Sequence, residues 1–183
     1  MDAREALFLT YHDYAALPDD GRRCELHDGA LSVTPAPGTR HQRISRNLYD
    51  VLRDHVTAWG LGEVLYSPLD VILSDTTVVQ PDLVHLDLSR RDLVSERGVE
   101  GLPSLVVEIL SPSTRTIDRV TKPVLYARHG VPFFWLVDPE ARILKAFAWG
   151  PECYSLVVRA TGAAPIGPPP FPDLALIPAS LWP

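Results

Sequence analysis

Leu105-Val106-Val107-Glu108-Ile109-Leu110-Ser111-Pro112 is the stretch on which the fold turns. Its residues 105–110 read as an apolar strand. One acid interrupts the run. Val78-Val79-Gln80-Pro81-Asp82-Leu83-Val84 repeats the pattern, again with a single carboxylate among apolar neighbours. Burying a carboxylate without a partner is strongly unfavourable. Each acid therefore faces solvent, finds a partner or is neutralised.

Working outward, residues 113–128 read as a helix, stopped by Gly130, with Arg128 and His129 at the end its dipole favours. Pro123 requires the helix proper to begin between Asp118 and Thr121, because only a first turn can spare the missing amide. Residues 133–137 and 142–148 form a strand pair around Asp138-Pro139, and 154–159 add a further strand. Upstream, 63–66, 69–73 and 82–86 are short β-rich runs separated by Pro68, Ser74-Asp75 and Pro81.

Ile44, Leu48, Val51, Leu52 and Val56 recur at helical spacing before Gly60, and the opposite face carries Arg40, Arg43, Arg46 and Arg53 with Asp50 and Asp54. Residues 24–33 hold two alternating runs around Asp28-Gly29, a dipeptide suited to a tight hairpin. Residues 9–17 suit a short helix begun by Thr10 and stopped by Pro18. The last 24 residues hold seven prolines and predict an extended arm that packs Phe171, Leu174, Leu176, Ile177 and Trp182 onto the body. The class is α+β, a sheet flanked by helices, in one domain over residues 1–183.

A formal net charge of −6 argues against a protein that coats nucleic acid through bulk charge, while local basic faces carry +2 over 40–55 and +3 over 112–130. Cys24 and Cys153 stand apart in no C-x-x-C pairing, so neither a disulfide framework nor a zinc knuckle is indicated. The start of the chain lacks a signal-peptide pattern, and no apolar run approaches the roughly 18 residues of a membrane span. A soluble, cytoplasmic protein without membrane contact is expected. Motifs of P-loops, dinucleotide folds, serine hydrolases and zinc proteases are absent from the sequence.

Two acids at neighbouring strand ends make an oxygen-rich site that suits Mg²⁺ or Mn²⁺. Asp82 and Glu108 are the candidates, and Asp70 is a third strand acid that completes or merely neighbours such a site. The chain has fifteen arginines and only two lysines, so Lys122, just after the Glu108 strand, is informative. Lysine can share its proton and position a water, whereas arginine stays charged. His41 opens the long helix and Glu25 sits in the hairpin; either lines a cleft beside the acids or is plain surface.

Taken in order, Cys24-Glu25-Leu26-His27-Asp28-Gly29, His41, Gln80-Pro81-Asp82, Val107-Glu108-Ile109-Leu110-Ser111-Pro112-Ser113-Thr114, Asp118, Lys122, Tyr126 and Gly130-Val131-Pro132 with Trp135-Leu136-Val137-Asp138 resemble the Uma-two family of restriction-endonuclease-like proteins. The resemblance runs from about residue 10 to the end. It implies the PD-(D/E)XK nuclease superfamily, with a restriction-endonuclease-like mixed sheet flanked by helices and metal-binding acids on adjacent central strands. It makes Asp82 and Glu108 metal ligands, with the Ile109 carbonyl beside them, and Mg²⁺ or Mn²⁺ the cofactor. Leu110 stands where the superfamily lysine is usual; the resemblance assigns that role to Lys122, directly followed by Pro123.

The implied activity is metal-assisted hydrolysis of phosphodiester bonds in DNA. Arg40, Arg43, Arg46, Arg115 and Arg119 are then candidates for the nucleic-acid backbone, and a homodimer suits cleavage of both strands. Two other readings stay open at this point: a nuclease fold without chemistry that binds nucleic acid or a protein partner, and a carboxylate-pair enzyme such as a glycosidase.

Overall fold

The computed structural model describes residues 7–18 and 20–183. Thr10 caps a short helix α1 (Tyr11–Ala15) through a reciprocal pair with Asp13, and the helix stops short of the residue 17 expected from sequence. The hairpin follows as β1 (Arg23–His27) and β2 (Ala30–Thr34). Its register pairs His27 with Ala30, so Asp28 and Gly29 form the two-residue loop, both at positive φ. Helix α2 (Thr39–Trp59) buries Ile44, Leu48, Leu52 and Val56 and ends at Gly60 in the left-handed conformation.

The β-rich middle contains more strands than the sequence patterns predict. They are β3 (Glu63–Tyr66), β4 (Val71–Ser74), β5 (Thr77–Val79), β6 (Leu83–Leu86), β7 (Val94–Ser95) and β8 (Gly98–Glu100), with a 3-10 segment at Leu88–Leu93. After β9 (Leu105–Ile109), a π-helical turn at Ile117–Thr121 leads into α3 (Lys122–His129), and the chain continues through β10 (Phe133–Asp138), β11 (Ile143–Trp149) and β12 (Tyr154–Ala160). The π turn accommodates Pro123: the Lys122 amide reaches back to Ile117, and proline occupies the opening turn of α3, where its missing donor is tolerated.

Two mixed six-stranded sheets result, rather than the single sheet expected, ordered β2-β1-β5-β4-β8-β7 and β12-β11-β10-β9-β6-β3. In the second, β9 and β10 run parallel and are joined by the α3 crossover, while β6 lies antiparallel to β9. Alternation along β9, with core on both faces, explains its apolar run on either side of Glu108. Leu105, Val107 and Ile109 pack toward α2, with Ile44, Leu48, Leu52 and Trp135, while Val106 and Leu110 pack the other way, against Val71, Val79, Val99, Leu125 and Tyr126.

The C-terminal arm seals the α2 side. Phe171, Leu174, Leu176 and Leu181 are buried there, and Trp135 Nε1 donates to the Pro169 carbonyl at 2.7 Å. Trp182 packs partly against this core. Ile177, expected inside, is exposed, since it follows buried Leu176 on extended backbone where successive side chains face opposite ways, and Leu181 at the end of a 3-10 turn (Pro178–Leu181) is buried. No helix among the described residues is long and apolar enough to cross a membrane.

Candidate active site

The β6–β9 register sets Leu83 against Val107, which leaves Asp82 opposite Glu108, and the Asp82 amide donates to the Val107 carbonyl at 3.0 Å. Side chains alternate along both strands, so Asp82 shares the face of Val84 and Leu86, and Glu108 that of Val106 and Leu110. Both acids therefore turn toward the sheet that contains β1. From there β1 supplies Glu25, the start of α3 supplies Lys122, and the first turn of α2 supplies His41.

Lys122 is the hub. Its Nζ lies 2.8 Å from Glu25 Oε1, 3.0 Å from Glu108 Oε1 and 3.5 Å from Asp118 Oδ1, and all four side chains are buried. Asp118 and Tyr126 stand four residues before and after Lys122, on one helical face. The Tyr126 hydroxyl donates to Glu108 Oε1 at 2.5 Å, and Thr114 donates to Asp118. Glu25 also accepts from the Gln80 amide at 2.6 Å and lies 3.2 Å from His27 Nε2.

Asp82 has its own partners. Its Oδ2 accepts from the Ile109 amide at 2.7 Å and lies 3.2 Å from His41 Nε2, while Arg23 Nη1 approaches Oδ1 at 3.8 Å. Arg23 also donates to the Gln80 carbonyl.

The fields of these groups are unequal. Burial pushes the Glu108 carboxyl well above the ordinary carboxylate range; Lys122 opposes this, and Asp118, Asp82 and Glu25 add to the rise. Asp118 is raised in the same way, by burial first, against Lys122 and Thr114. Burial acts on Glu25 too, but Lys122, His27 and the Gln80 amide outweigh it and lower its pKa to about 2. Burial disfavours a charged Lys122, yet the surrounding Glu108, Glu25 and Asp118 hold its pKa above the usual lysine value. His41 is likewise raised: burial opposes its charge, and the Asp82 hydrogen bond and charge prevail.

The structure thus brings Asp82, Glu108, Lys122, Glu25 and His41 around one narrow polar cleft, with the Ile109 backbone in its wall. Asp70 lies apart, where its Oδ1 accepts from Tyr14 at 3.0 Å and Gln80 Nε2 at 2.7 Å. Of the arginines singled out from sequence, Arg119 pairs with Asp138 at 2.7 Å, Arg115 with Glu140, and Arg40 reaches the Pro139 carbonyl at 2.5 Å. Arg43 and Arg46 remain exposed on α2 without an ion pair among the described residues.

Sequence reasoning gave no site role to Arg23, Asp118 or Tyr126. The four-residue spacing Asp118, Lys122, Tyr126 was a usable signal, whereas nothing in Arg22-Arg23 tells the two arginines apart.

Among the described residues no three His, Cys, Asp or Glu side chains form a ready metal cluster. The donor set nevertheless fits a hard cation that keeps much of its water and takes only one or two carboxylates from protein. Four carboxylates, Glu25, Asp82, Glu108 and Asp118, face two permanent cations, Arg23 and Lys122. Burial first, and then the neighbouring carboxylates, raise Glu108 and Asp118, and a divalent ion beside them would favour their ionised forms.

A family model described as "Uma2: Putative restriction endonuclease" matches residues 11–180. A crystal structure of a "putative nuclease belonging to DUF820" from Anabaena variabilis ATCC 29413 superposes with a TM-score of 0.77 at 20% identity, over 94% of this chain and 97% of that one. At that identity the likeness speaks for the fold. No curated protein matches the chain.

Proposed function

We propose that this chain, which belongs to the Uma2 family, is a divalent-metal-dependent nuclease that hydrolyses phosphodiester bonds within DNA. The observation that carries the reading is the pairing of Asp82 and Glu108 across adjacent strands, beside a buried lysine and a surplus of carboxylates. Asp82, Glu108 and the Ile109 carbonyl would hold Mg²⁺ or Mn²⁺. Such an ion, when bound, lowers the pKa of its water and stabilises charge growing on the phosphate.

The remaining work falls to the chain's own groups. Lys122 is held by three carboxylates with its pKa above the ordinary range, so it stays protonated and orients a water as a donor rather than removing its proton. Tyr126 fixes one oxygen of Glu108, and His41 with the Ile109 amide fixes one oxygen of Asp82. These are positioning residues, acting through the two acids. Glu25 holds Lys122 in place from the neighbouring sheet.

Cleavage of labelled DNA with Mg²⁺ or Mn²⁺ tests the reading. Wild type is expected to cut only with metal, and Asp82→Ala and Glu108→Ala to lose turnover while circular dichroism shows them folded. Equal cleavage by the folded variants would overturn it.

A further inference from the structure

The cleft does not end at Arg23. Its mouth, between Arg23 and Pro37, opens into a groove walled by Gln42, Ser67 and Pro68, which runs on to a hollow between Tyr49 and Tyr66. Gln42 follows His41 on α2, and Arg46 and Tyr49 lie four and seven residues further along the same face. At a rise of 1.5 Å per residue, this stripe leads about 10 Å away from the acids.

The opposite wall starts at the site itself. Tyr66 pairs in register with Leu83, the residue after Asp82, and the Ser67 amide donates to the Asp82 carbonyl at 3.1 Å. Tyr66 is 60% exposed on the edge strand, and its ring meets Tyr49 edge to face with centroids 4.9 Å apart.

The charges along the groove suit a polyanion. Arg23 Nε is buried at the mouth without a hydrogen-bond partner among the described residues, and exposed Arg46 bonds only its neighbour Asn47, at 3.2 Å. The acid in the hollow, Asp50, pairs at 3.0 Å with Arg53, which it shares with Asp54 at 2.8 Å. An exposed aromatic ring beside spaced cations offers a face to an unpaired base and a rail to its phosphates, whereas bases inside a duplex have no free face to stack.

We infer that this groove holds a single-stranded flank of the DNA substrate, its phosphates toward Arg23 and Arg46 and one base stacked on Tyr66. The inference rests on the nuclease reading and adds the strandedness of the substrate and a residue that selects for it.

Fluorescence anisotropy in EDTA, with a short labelled single strand and the duplex of the same length, separates this from catalysis. Wild type is expected to bind the strand more tightly than the duplex. Tyr66→Ala loses about tenfold in strand affinity, with duplex binding unchanged, and Tyr66→Phe binds like wild type. Strand binding that Tyr66→Ala leaves intact, an equal loss on duplex, or no strand binding at all overturns the inference. Binding through Tyr66 without cleavage in Mg²⁺ would overturn the nuclease reading alone; cleavage indifferent to Tyr66 would do the reverse.

Discussion

Asp70 and Glu108 are both acids next to or within apolar strands, Asp70 half-buried and Glu108 fully buried, and burial raises both above their ordinary values. Their surroundings differ in kind. Asp70 is held by two neutral donors, Tyr14 and Gln80, and so ties α1 to the β4–β5 region. Glu108 shares one ammonium with two other carboxylates and faces a fourth across the strand pair. Neutral donors are enough to keep an acid in a fold. A cluster that holds more carboxylates than cations is costly to bury, and the proposed nuclease reading puts its chemistry on this Glu108 side.

The contrast is open to breakage, and its largest effect lies in turnover. Glu108→Gln is expected to lower cleavage by about 10²–10³-fold or more, while Asp70→Asn cuts like wild type in the same assay. Comparable losses in both would erase the distinction.

Next comes stability. Lys122→Met leaves Glu25, Glu108 and Asp118 without their shared cation, and urea unfolding at pH 8 should show a loss of about 3–5 kcal/mol. The loss shrinks toward pH 5, because Glu108 and Asp118, already raised, take up protons in the folded variant. A deficit independent of pH would mean that Lys122 acts by packing alone.

A smaller effect belongs to Glu25, whose folded pKa lies at about 2, below its ordinary 4.5. A depressed carboxylate adds stability above its unfolded pKa and loses it as pH falls through the folded one. Glu25→Gln should therefore be about 3 kcal/mol less stable than wild type at pH 7, with the gap closing between pH 4.5 and about 2. The smallest effect is at Asp70. Its raised pKa means that ionisation there opposes folding, which offsets the hydrogen bonds from Tyr14 and Gln80, so Asp70→Asn should shift stability by less than about 1 kcal/mol at pH 7.

The same contrast shows what a sequence can convey. The helix through Ile44, Leu48, Leu52 and Val56, the Asp28-Gly29 hairpin and the β9 run are set by local periodicity and turn chemistry, and they stand where the pattern puts them. Strands of two or three residues, β5, β7 and β8, are too short to show a period, and the second sheet they build depends on pairing between distant segments. Asp82, Glu108 and Lys122 stood out because charge is rare in their settings. That Asp70 would be satisfied by Tyr14, 56 residues away, is a non-local fact, as is the approach of Arg23 to Asp82.

The π turn is a further case. Pro123 predicted a late helix start; α3 opens at Lys122, and the chain widens into a π turn just ahead of it, which keeps Asp118, Lys122 and Tyr126 together around Glu108.

Mn²⁺ titration by calorimetry tests, without a guess at the substrate, whether the Asp82 and Glu108 pair accepts a divalent ion. Saturable binding to wild type and to Asp70→Asn is expected, and its loss in folded Glu108→Ala. Equal heats from wild type and Glu108→Ala would contradict it.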